Sequence, residues 1–429
     1  MYIFIKNRTM INKFKPKTEY SRNILTLMSG TMLAQAIPIA ISPILTRLYS
    51  PSDFGTFALY FALAVLFGSL VAGRYELSIL IPKQDESARQ IVLFSISISF
   101  FVSILLFIFI YINIDWLVQL LNNPDIKIWL YILPVNVFMI SIINILYYWF
   151  NRHKEYKVLA KTKILQSSNR AFFSLLFGFF HKSFGLIIGI LIGSFSNFIY
   201  SIKKANDDDI FHKPNMHKVK ILMKKYSDFP KFNILTTLLE NVSGNIPIYL
   251  LTIFFGPMVV GFFSLSQQVI RVPLSLIGVS FGDVFRQQAS KDLQHIGDCR
   301  NIFLLTFKKL FIIATIPFIV FYFIAPSLFL FVFGPEWEMA GTYAQIMTPL
   351  FFLQFISSPL SNMFLIAQKQ KLDLLIQIFS FITMSLGMII GYYVSKDVST
   401  ILYIFTIIYS IKYLIQLTLS YRFTKVSNA

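Results

Sequence analysis

The sequence predicts an all-α integral membrane protein of about twelve transmembrane helices, in two six-helix lobes related by a parallel internal repeat. Three observations carry this prediction. Apolar residues come in blocks of about 20, the length a helix needs to cross about 30 Å of hydrocarbon. Lys and Arg gather in every second connection between those blocks. Two segments a constant distance apart share a pattern of residues.

The 429-residue chain is 56% hydrophobic and 14% charged, where an ordinary soluble domain is about 45–50% apolar and about 25% charged. One soluble core cannot absorb that excess. Stretches such as FSISISFFVSILLFIFIYI do not keep the short apolar–polar alternation of a transmembrane β-barrel. Backbone crossing a bilayer must satisfy its own hydrogen bonds, which leaves helices. The blocks place spans at 23–48, 56–81, 90–112, 127–150, 164–180, 185–202, 233–255, 260–282, 310–333, 342–367, 374–394 and 400–420. The first block is too long for a signal-peptide core and has no cleavage site, so it reads as a retained helix.

A net charge of +18 would point to nucleic acid in a soluble protein. Here the cations follow topology, and a nucleic-acid partner is not expected. Lys6, Arg8, Lys13, Lys15, Lys17 and Arg22 precede span 1, Lys83 and Arg89 follow span 2, and Arg152, Lys154 and Lys157 follow span 4. The opposite loops offer Lys127, Lys182 and Lys396. That bias puts both termini in the cytoplasm. The expected organisation is a basic N-terminus over 1–22, an N-lobe over 23–202 with helices 1–6, and a basic cytoplasmic linker over 203–232. A C-lobe over 233–420 with helices 7–12 and a cytoplasmic C-terminus over 421–429 follow. Within the linker, HKVKILMKKY reads either as a basic amphipathic helix on the inner leaflet or as a plain solvated connection. Asp207, Asp208 and Asp209 read as a solvated acidic run. A single cysteine, Cys299, excludes an internal disulfide and a cysteine metal cluster.

The repeat lies between LTRLYSPSDFGTFALY at 45–60 and LTIFFGPMVVGFFSLS at 251–266. Leu45, Thr46, Pro51, Gly55, Phe57 and Leu59 match Leu251, Thr252, Pro257, Gly261, Phe263 and Leu265 at an offset of 251 − 45 = 206. Six spans per half is an even number, so the halves run parallel, with a substrate site expected between them. Pro38 and Pro43 interrupt span 1 and Pro247 interrupts span 7. They read as hinge or site-lining positions, against the plainer reading of tolerated kinks.

At RLYSPSDFGTF and AGRYELSILIPK the chain resembles the oligosaccharide flippases of the multidrug/oligosaccharidyl-lipid/polysaccharide exporter superfamily. RVPLSLIGVSFGDVFRQQASK and LFLFVFGPEWEMAG are similar to that family's eighth span and its loop between spans 9 and 10. The resemblance implies alternating access and export of a polyprenyl-pyrophosphate-linked oligosaccharide repeat unit for O-antigen, capsule or a related glycan, across a bacterial inner membrane. It also implies membrane lipids, a polysaccharide polymerase and chain-length machinery as partners.

Ionised side chains inside a span cost at least about 2.5–3.5 kcal/mol and mark function or pairing. Arg74 and Glu76 in span 2, Arg170 in span 5, Glu240 in span 7, Arg271 in span 8 and Lys412 in span 12 are such groups, and Arg47 lies at a span end. Two residues apart on one helix, Arg74 and Glu76 are expected to have different partners. For the cargo that the resemblance implies, Arg74, Arg271, Arg170, Arg47 and Lys412 are candidate phosphate-binding groups, since guanidinium grips phosphate bidentately and keeps its charge. Glu76 and Glu240 are candidates for ion coupling or pairing. Asn241, Ser243, Asn245, Gln267 and Gln268 could meet sugar hydroxyls or join helices. No G-x-S-x-G, H-E-x-x-H, GKS-type phosphate loop or CxxC occurs, so no enzyme and no cofactor is expected. Energy would come from a proton or sodium gradient or from the membrane potential. A multidrug cation extruder of the same superfamily is the alternative, and it prefers intramembrane carboxylates. A glycan polymerase or ligase needs an outer loop larger than residues 113–126.

Overall fold

The computed structural model describes residues 19–212 and 215–425. Most of the basic N-terminus and the last four residues of the C-terminal tail lie outside the described residues. The first lobe contains α1 (Glu19–Leu48), α2 (Pro51–Leu70), α3 (Asp85–Leu120), α4 (Lys127–Arg152), α5 (Tyr156–Phe179) and α6 (Gly185–Asp207). After the short α7 (Met216–Lys225) come α8 (Ile234–Phe255) and α9 (Pro257–Pro273). A π turn over Leu274–Gly278 joins α9 to α10 (Val279–Ile296). The second lobe closes with α11 (Arg300–Phe333), α12 (Glu338–Leu360), the one-turn α13 (Met363–Ile366), α14 (Gln370–Ser395) and α15 (Val398–Arg422). Helices α1 and α3–α6 pack chiefly within the first lobe and α10–α15 chiefly within the second, whereas α2 packs chiefly on α9 and α8 across the lobes.

Among the described residues, ten segments are long and apolar enough to cross a membrane. Two expected spans fall outside that set for visible reasons. Lys157, Lys161, Lys163 and Arg170 dilute α5, and α9 alone is 17 residues long before its π turn. Helices α3 and α11 outrun the bilayer at 36 and 34 residues. Asn113 bends α3, where its side-chain amide donates to the Phe109 carbonyl at 2.9 Å and its own backbone leaves helical geometry.

The second span differs most from the sequence reading. Helix α2 begins at Pro51 and ends at Leu70, so residues 71–81 are not part of it. Its start is a capping box. The Asp53 amide donates to Ser50 Oγ at 3.2 Å, the Ser50 amide donates to Asp53 Oδ2 at 2.9 Å, and Pro51 takes the first helical position. Its end is set by two consecutive left-handed residues, Gly73 at φ +63° and Arg74 at φ +60°. A 3₁₀ helix over Tyr75–Leu80 follows. The turn folds Arg74 back onto Glu76, with Nη1 to Oε1 at 3.0 Å. The expectation of separate partners is therefore corrected: it assumed α-helical geometry, and the chain here turns. Arg152 then fastens this loop, donating to the carbonyl of Ile79 at 3.1 Å and to Asp85 at 2.8 Å. That hydrogen bond, with the charges of Arg152 and His153, holds the Asp85 carboxyl below its ordinary range.

Asp208 is not simply solvated. It accepts from Lys204 at 2.9 Å and from Trp149 Nε1 at 3.3 Å. Leu222 of α7 and Tyr226 just after it pack on a cluster that contains Ile91 and Trp149, and Val219 is buried. Lys218, Lys220, Lys224 and Lys225 face outward, as do Met216 and Ile221. Protein thus covers Val219, Leu222 and Tyr226.

The lobes join where α2 and α9 begin. Gly55 and Gly261 bring the two backbones together. A β-carbon on Gly55 would stand 1.7 Å from the Pro257 carbonyl oxygen, and one on Gly261 would stand 1.8 Å from the Pro51 carbonyl oxygen. Pro51 pairs with Pro257 and Gly55 with Gly261 at the 206-residue offset, so the repeat meets itself reciprocally across a local pseudo-two-fold axis. Trp337 wedges in beside this contact. It is fully buried, its ring lies 4.8 Å from Phe54 and 6.0 Å from Phe262, and its Nε1 donates to the Thr46 carbonyl at 2.9 Å. Asn122 Nδ2 reaches the Ile253 carbonyl at 3.4 Å at the same end. Asn241 Nδ2 meets Ser69 Oγ at 3.3 Å nearer the opposite end.

Two measurements test this arrangement. With Ala58→Cys as reporter in a Cys299→Ser background, a membrane-impermeant maleimide added from outside should label slowly. Adding Gly261→Ala should raise labelling several-fold, and Gly55→Ala should do the same, because either methyl group must force the lobes apart. Unchanged labelling in both would mean that the contact does not hold that end shut. Separately, Arg74→Ala leaves the Glu76 carboxylate buried and unpaired, and should lower stability by about 3 kcal/mol. Arg74→Ala with Glu76→Gln should regain most of it in thermal unfolding of the purified protein.

Candidate functional site

Polar side chains within the spans converge on three connected cavities, and Arg271 borders all three. The first, about 540 Å³, lies between the lobes. Helices α1, α2 and α5 contribute Gln35, Pro38, Phe61 and Arg170, and α8 and α9 contribute Asn245, Gln267, Gln268 and Arg271. The second, about 550 Å³, runs from Arg271 along the π turn, between Gly278, Gly282 and Asp283 on one side and Gln354, Ser358 and Asn362 on the other. The third, about 260 Å³, is lined by helices of the second lobe alone.

Arg271 is placed by the end of α9. Helix α9 carries its buried face of Phe263, Ser266 and Ile270 into the lobe, and Arg271, one position on, projects into open volume. Its guanidinium lies 5.8 Å from the Phe351 ring centroid. Among the described residues no carboxylate oxygen comes within 4 Å of it. Arg170 comes from the other lobe, on α5. Its guanidinium lies over the rings of Phe57 at 4.8 Å and Phe61 at 5.7 Å. No acidic side chain pairs with it among the described residues. The aromatic faces hold the cation without neutralising it. One guanidinium per lobe therefore borders the same inter-lobe cavity, and the charge of each remains available to an anion.

The other predicted positions divide. Lys412 on α15 and Glu240 on α8 line the third cavity with Arg271. Lys412 Nζ sits over Tyr409 at 5.2 Å and Tyr413 at 5.5 Å. Glu240 and Arg271 share that wall but form no ion pair within 4 Å. Arg47 is exposed at the joined end, donates to the Pro43 carbonyl at 3.4 Å and lines none of these cavities. Arg74 and Glu76 are committed to each other. Pro38 borders the inter-lobe cavity and Pro247 the third, whereas Pro43 supplies its carbonyl to Thr46 and Arg47. Asn241 joins helices α8 and α2 and lines none of the three. Gln35, Ser167, Gln354 and Gln377 line cavities and were not singled out from sequence. Their signal was an amide or hydroxyl inside an apolar block. Among the described residues, no group of three or more His, Cys, Asp or Glu side chains is placed to hold a metal ion.

Comparison with known proteins fits this geometry. A family model described as polysaccharide biosynthesis protein matches residues 44–342. The solved structure of the lipid II flippase MurJ in an inward closed conformation is similar at a TM-score of 0.69 with 15% identity, covering 93% of this chain and 87% of that one. An inward-facing multidrug resistance MATE family transporter of the MOP superfamily gives 0.60 with 15% identity, covering 92% and 93%. An outward-facing structure of such a transporter gives 0.59 with 13% identity, covering 93% and 94%. Among curated proteins none matches the chain significantly. At these identities the structures show the fold alone: all-α, multi-pass and two-lobed. With more than half of its length matched by one family model, the chain belongs to the polysaccharide biosynthesis protein family.

Proposed function

We propose that this protein is an alternating-access flippase that moves a polyprenyl-pyrophosphate-linked oligosaccharide from the cytoplasmic to the outer leaflet of a bacterial inner membrane, for O-antigen, capsule or a related surface glycan. The observation that carries the reading is the inter-lobe cavity with Arg170 on one wall and Arg271 on the other, neither neutralised by a carboxylate. A pyrophosphate diester is anionic at neutral pH, and crossing hydrocarbon bare would be prohibitive. Two guanidiniums can grip it bidentately and keep their charge. Gln35, Asn245, Gln267 and Gln268 supply amides for sugar hydroxyls. An anion held by both lobes also offsets the repulsion between the two cations, so binding favours drawing the lobes together around the cargo. The family membership supports a role in polysaccharide assembly.

The proposed organisation puts both termini and the 203–232 linker in the cytoplasm, between an N-lobe of residues 23–202 and a C-lobe of residues 233–420. The joined ends of α2 and α9 then lie outside. Membrane lipids are the surroundings of the cargo, and a polysaccharide polymerase and chain-length machinery would receive it. An anion moving outward is favoured by an inside-negative potential, by about 2.3 kcal/mol per charge per 100 mV.

A second reading has its own support. Similar folds include multidrug MATE transporters, and Glu240 presents a carboxylate to the cavity within the second lobe. A multidrug cation extruder would place its organic cation there. The sign of the charges decides against it, since Arg271 and Lys412 share that wall with Glu240.

Reporter fusions after Arg89, Lys163, Lys231, Lys309, Lys371 and Ala429 should report cytoplasm, and fusions after Asp53, Pro124, Pro257, Glu338 and Lys396 the outer side. One clear reversal in the first half would break the topology. For the cargo, a flippase-deficient strain should regain surface glycan when it carries the wild-type chain. Arg271→Ala should abolish this at matched membrane abundance, and Arg271→Lys should retain part of it. Adding Glu240→Gln to Arg271→Ala should not restore export; restoration would make Arg271 a structural partner of Glu240. Flipping in vesicles should accelerate under an imposed inside-negative potential. A rate that follows a proton or sodium gradient alone would replace the potential with ion exchange.

A further inference from the structure

We infer that the cavity of about 260 Å³ within the second lobe is a separate site for a small monovalent anion of the halide class, held between Arg271 and Lys412. The cavity is bounded by α8, α9, α12, α14 and α15 and contains about 260 Å³. That is below the roughly 300–1,000 Å³ of pockets for drug-sized ligands, so a lipid-linked sugar does not fit, whereas a small ion with a few waters does.

The charges on its wall are Arg271, Lys412 and Glu240, which sum to one net positive charge. Lys412 Nζ contacts the faces of Tyr409 and Tyr413 and meets no carboxylate within 4 Å among the described residues. The neighbouring acid, Asp373, is already engaged: its oxygens accept from Gln377 Nε2 at 2.9 Å and from Gln416 Nε2 at 3.0 Å. The tyrosines between the two cations are fixed in turn, since the Tyr409 hydroxyl donates to the Ser243 carbonyl at 3.4 Å. An ammonium and a guanidinium inside spans, neither of them in a direct ion pair among the described residues, are costly. One halide between them supplies the direct partner that neither Glu240 nor Asp373 provides within 4 Å. Divalent anions fit less well, because Glu240 and Asp373 already set negative charge near the two cations.

Arg271 also borders the inter-lobe cavity. If the cargo is a phosphate diester, which is the reading proposed above, the halide and the cargo share one guanidinium and compete for it. Chloride then lowers cargo affinity, and cargo arrival releases chloride from the cavity within the second lobe.

The test uses the full chain in nanodiscs of neutral lipid at constant ionic strength, with chloride replacing gluconate. Chloride alone should raise the unfolding temperature saturably in the wild type and in Lys412→Arg. Lys412→Gln should raise the half-saturating chloride concentration by about tenfold or more, the loss expected when a charged partner is removed. Its unfolding temperature in gluconate serves as the folding control. Glu240→Gln should tighten chloride binding. Radiolabelled chloride should bind near one equivalent in the wild type and not in Lys412→Gln. No chloride dependence, or the same dependence in wild type and Lys412→Gln, leaves an adventitious ion only and overturns the site. A second arm measures inorganic pyrophosphate binding with and without chloride. Competition that disappears in Lys412→Gln supports the shared Arg271, and indifference to chloride overturns that sharing. The chloride arm needs no glycan, so failure of the flippase reading would leave it standing, and its own failure would not touch export.

Discussion

The backbone contact between the starts of α2 and α9 is the constraint on which the two-lobed arrangement depends. Without a hydrophobic driving force between helices in a bilayer, association rests on close packing and hydrogen bonds. Gly55 and Gly261 allow a carbonyl of the opposite lobe to lie where any other residue would carry its β-carbon. The contact is reciprocal, so the same few atoms serve both sides. The capping box at Ser50 and Asp53 fixes where α2 begins, and Gly256, at φ +80°, fixes where α9 begins. Trp337 then fills the space beside them. With the lobes held at that end, the volume between them opens elsewhere, and the inter-lobe cavity is the result.

The intramembrane charges sort by what surrounds them. Arg74 and Glu76 satisfy each other inside a turn and serve to shape the loop that Arg152 fastens. Arg170 and Arg271 have aromatic faces and open cavity where Arg74 has a carboxylate. A guanidinium on an aromatic face is stabilised but remains positive. That distinction separates cations that complete the fold from cations whose charge remains available, and it cannot be made by counting charges along the chain.

Much of this was legible in the sequence, for physical reasons that can be traced residue by residue. Apolar blocks specify spans because the bilayer specifies a length. The Pro51–Gly55 and Pro257–Gly261 spacing was visible as a repeat, although its meaning as a self-contact needed three dimensions. Span 2 was misjudged because Gly73 is common enough inside membrane helices to be read through, and nothing local announces that Arg74 will also turn left-handed. The pairing of Arg74 with Glu76 followed from the same error. Arg271 was expected to be deep, and a candidate for cargo binding, from its place in an apolar block. Its position at the junction of three cavities depends on α12 and α15, far away in the chain. The amphipathic pattern of α7 was correctly seen, but sequence could not say whether lipid or protein would cover Val219 and Leu222.

The π turn at Leu274–Gly278, directly after Arg271 and Pro273, gives span 8 a surplus residue relative to an α-helix. One residue corresponds to about 100° of rotation about the axis. If that surplus shifts along the span or is absorbed, the segment carrying Arg271 turns like a key against the segment carrying Gly278 and Asp283, while the lobes stay where they are. The guanidinium could then be re-aimed from one cavity to the next by a local screw motion of its own helix, with its own timing, instead of moving only as a passenger of the larger rearrangement.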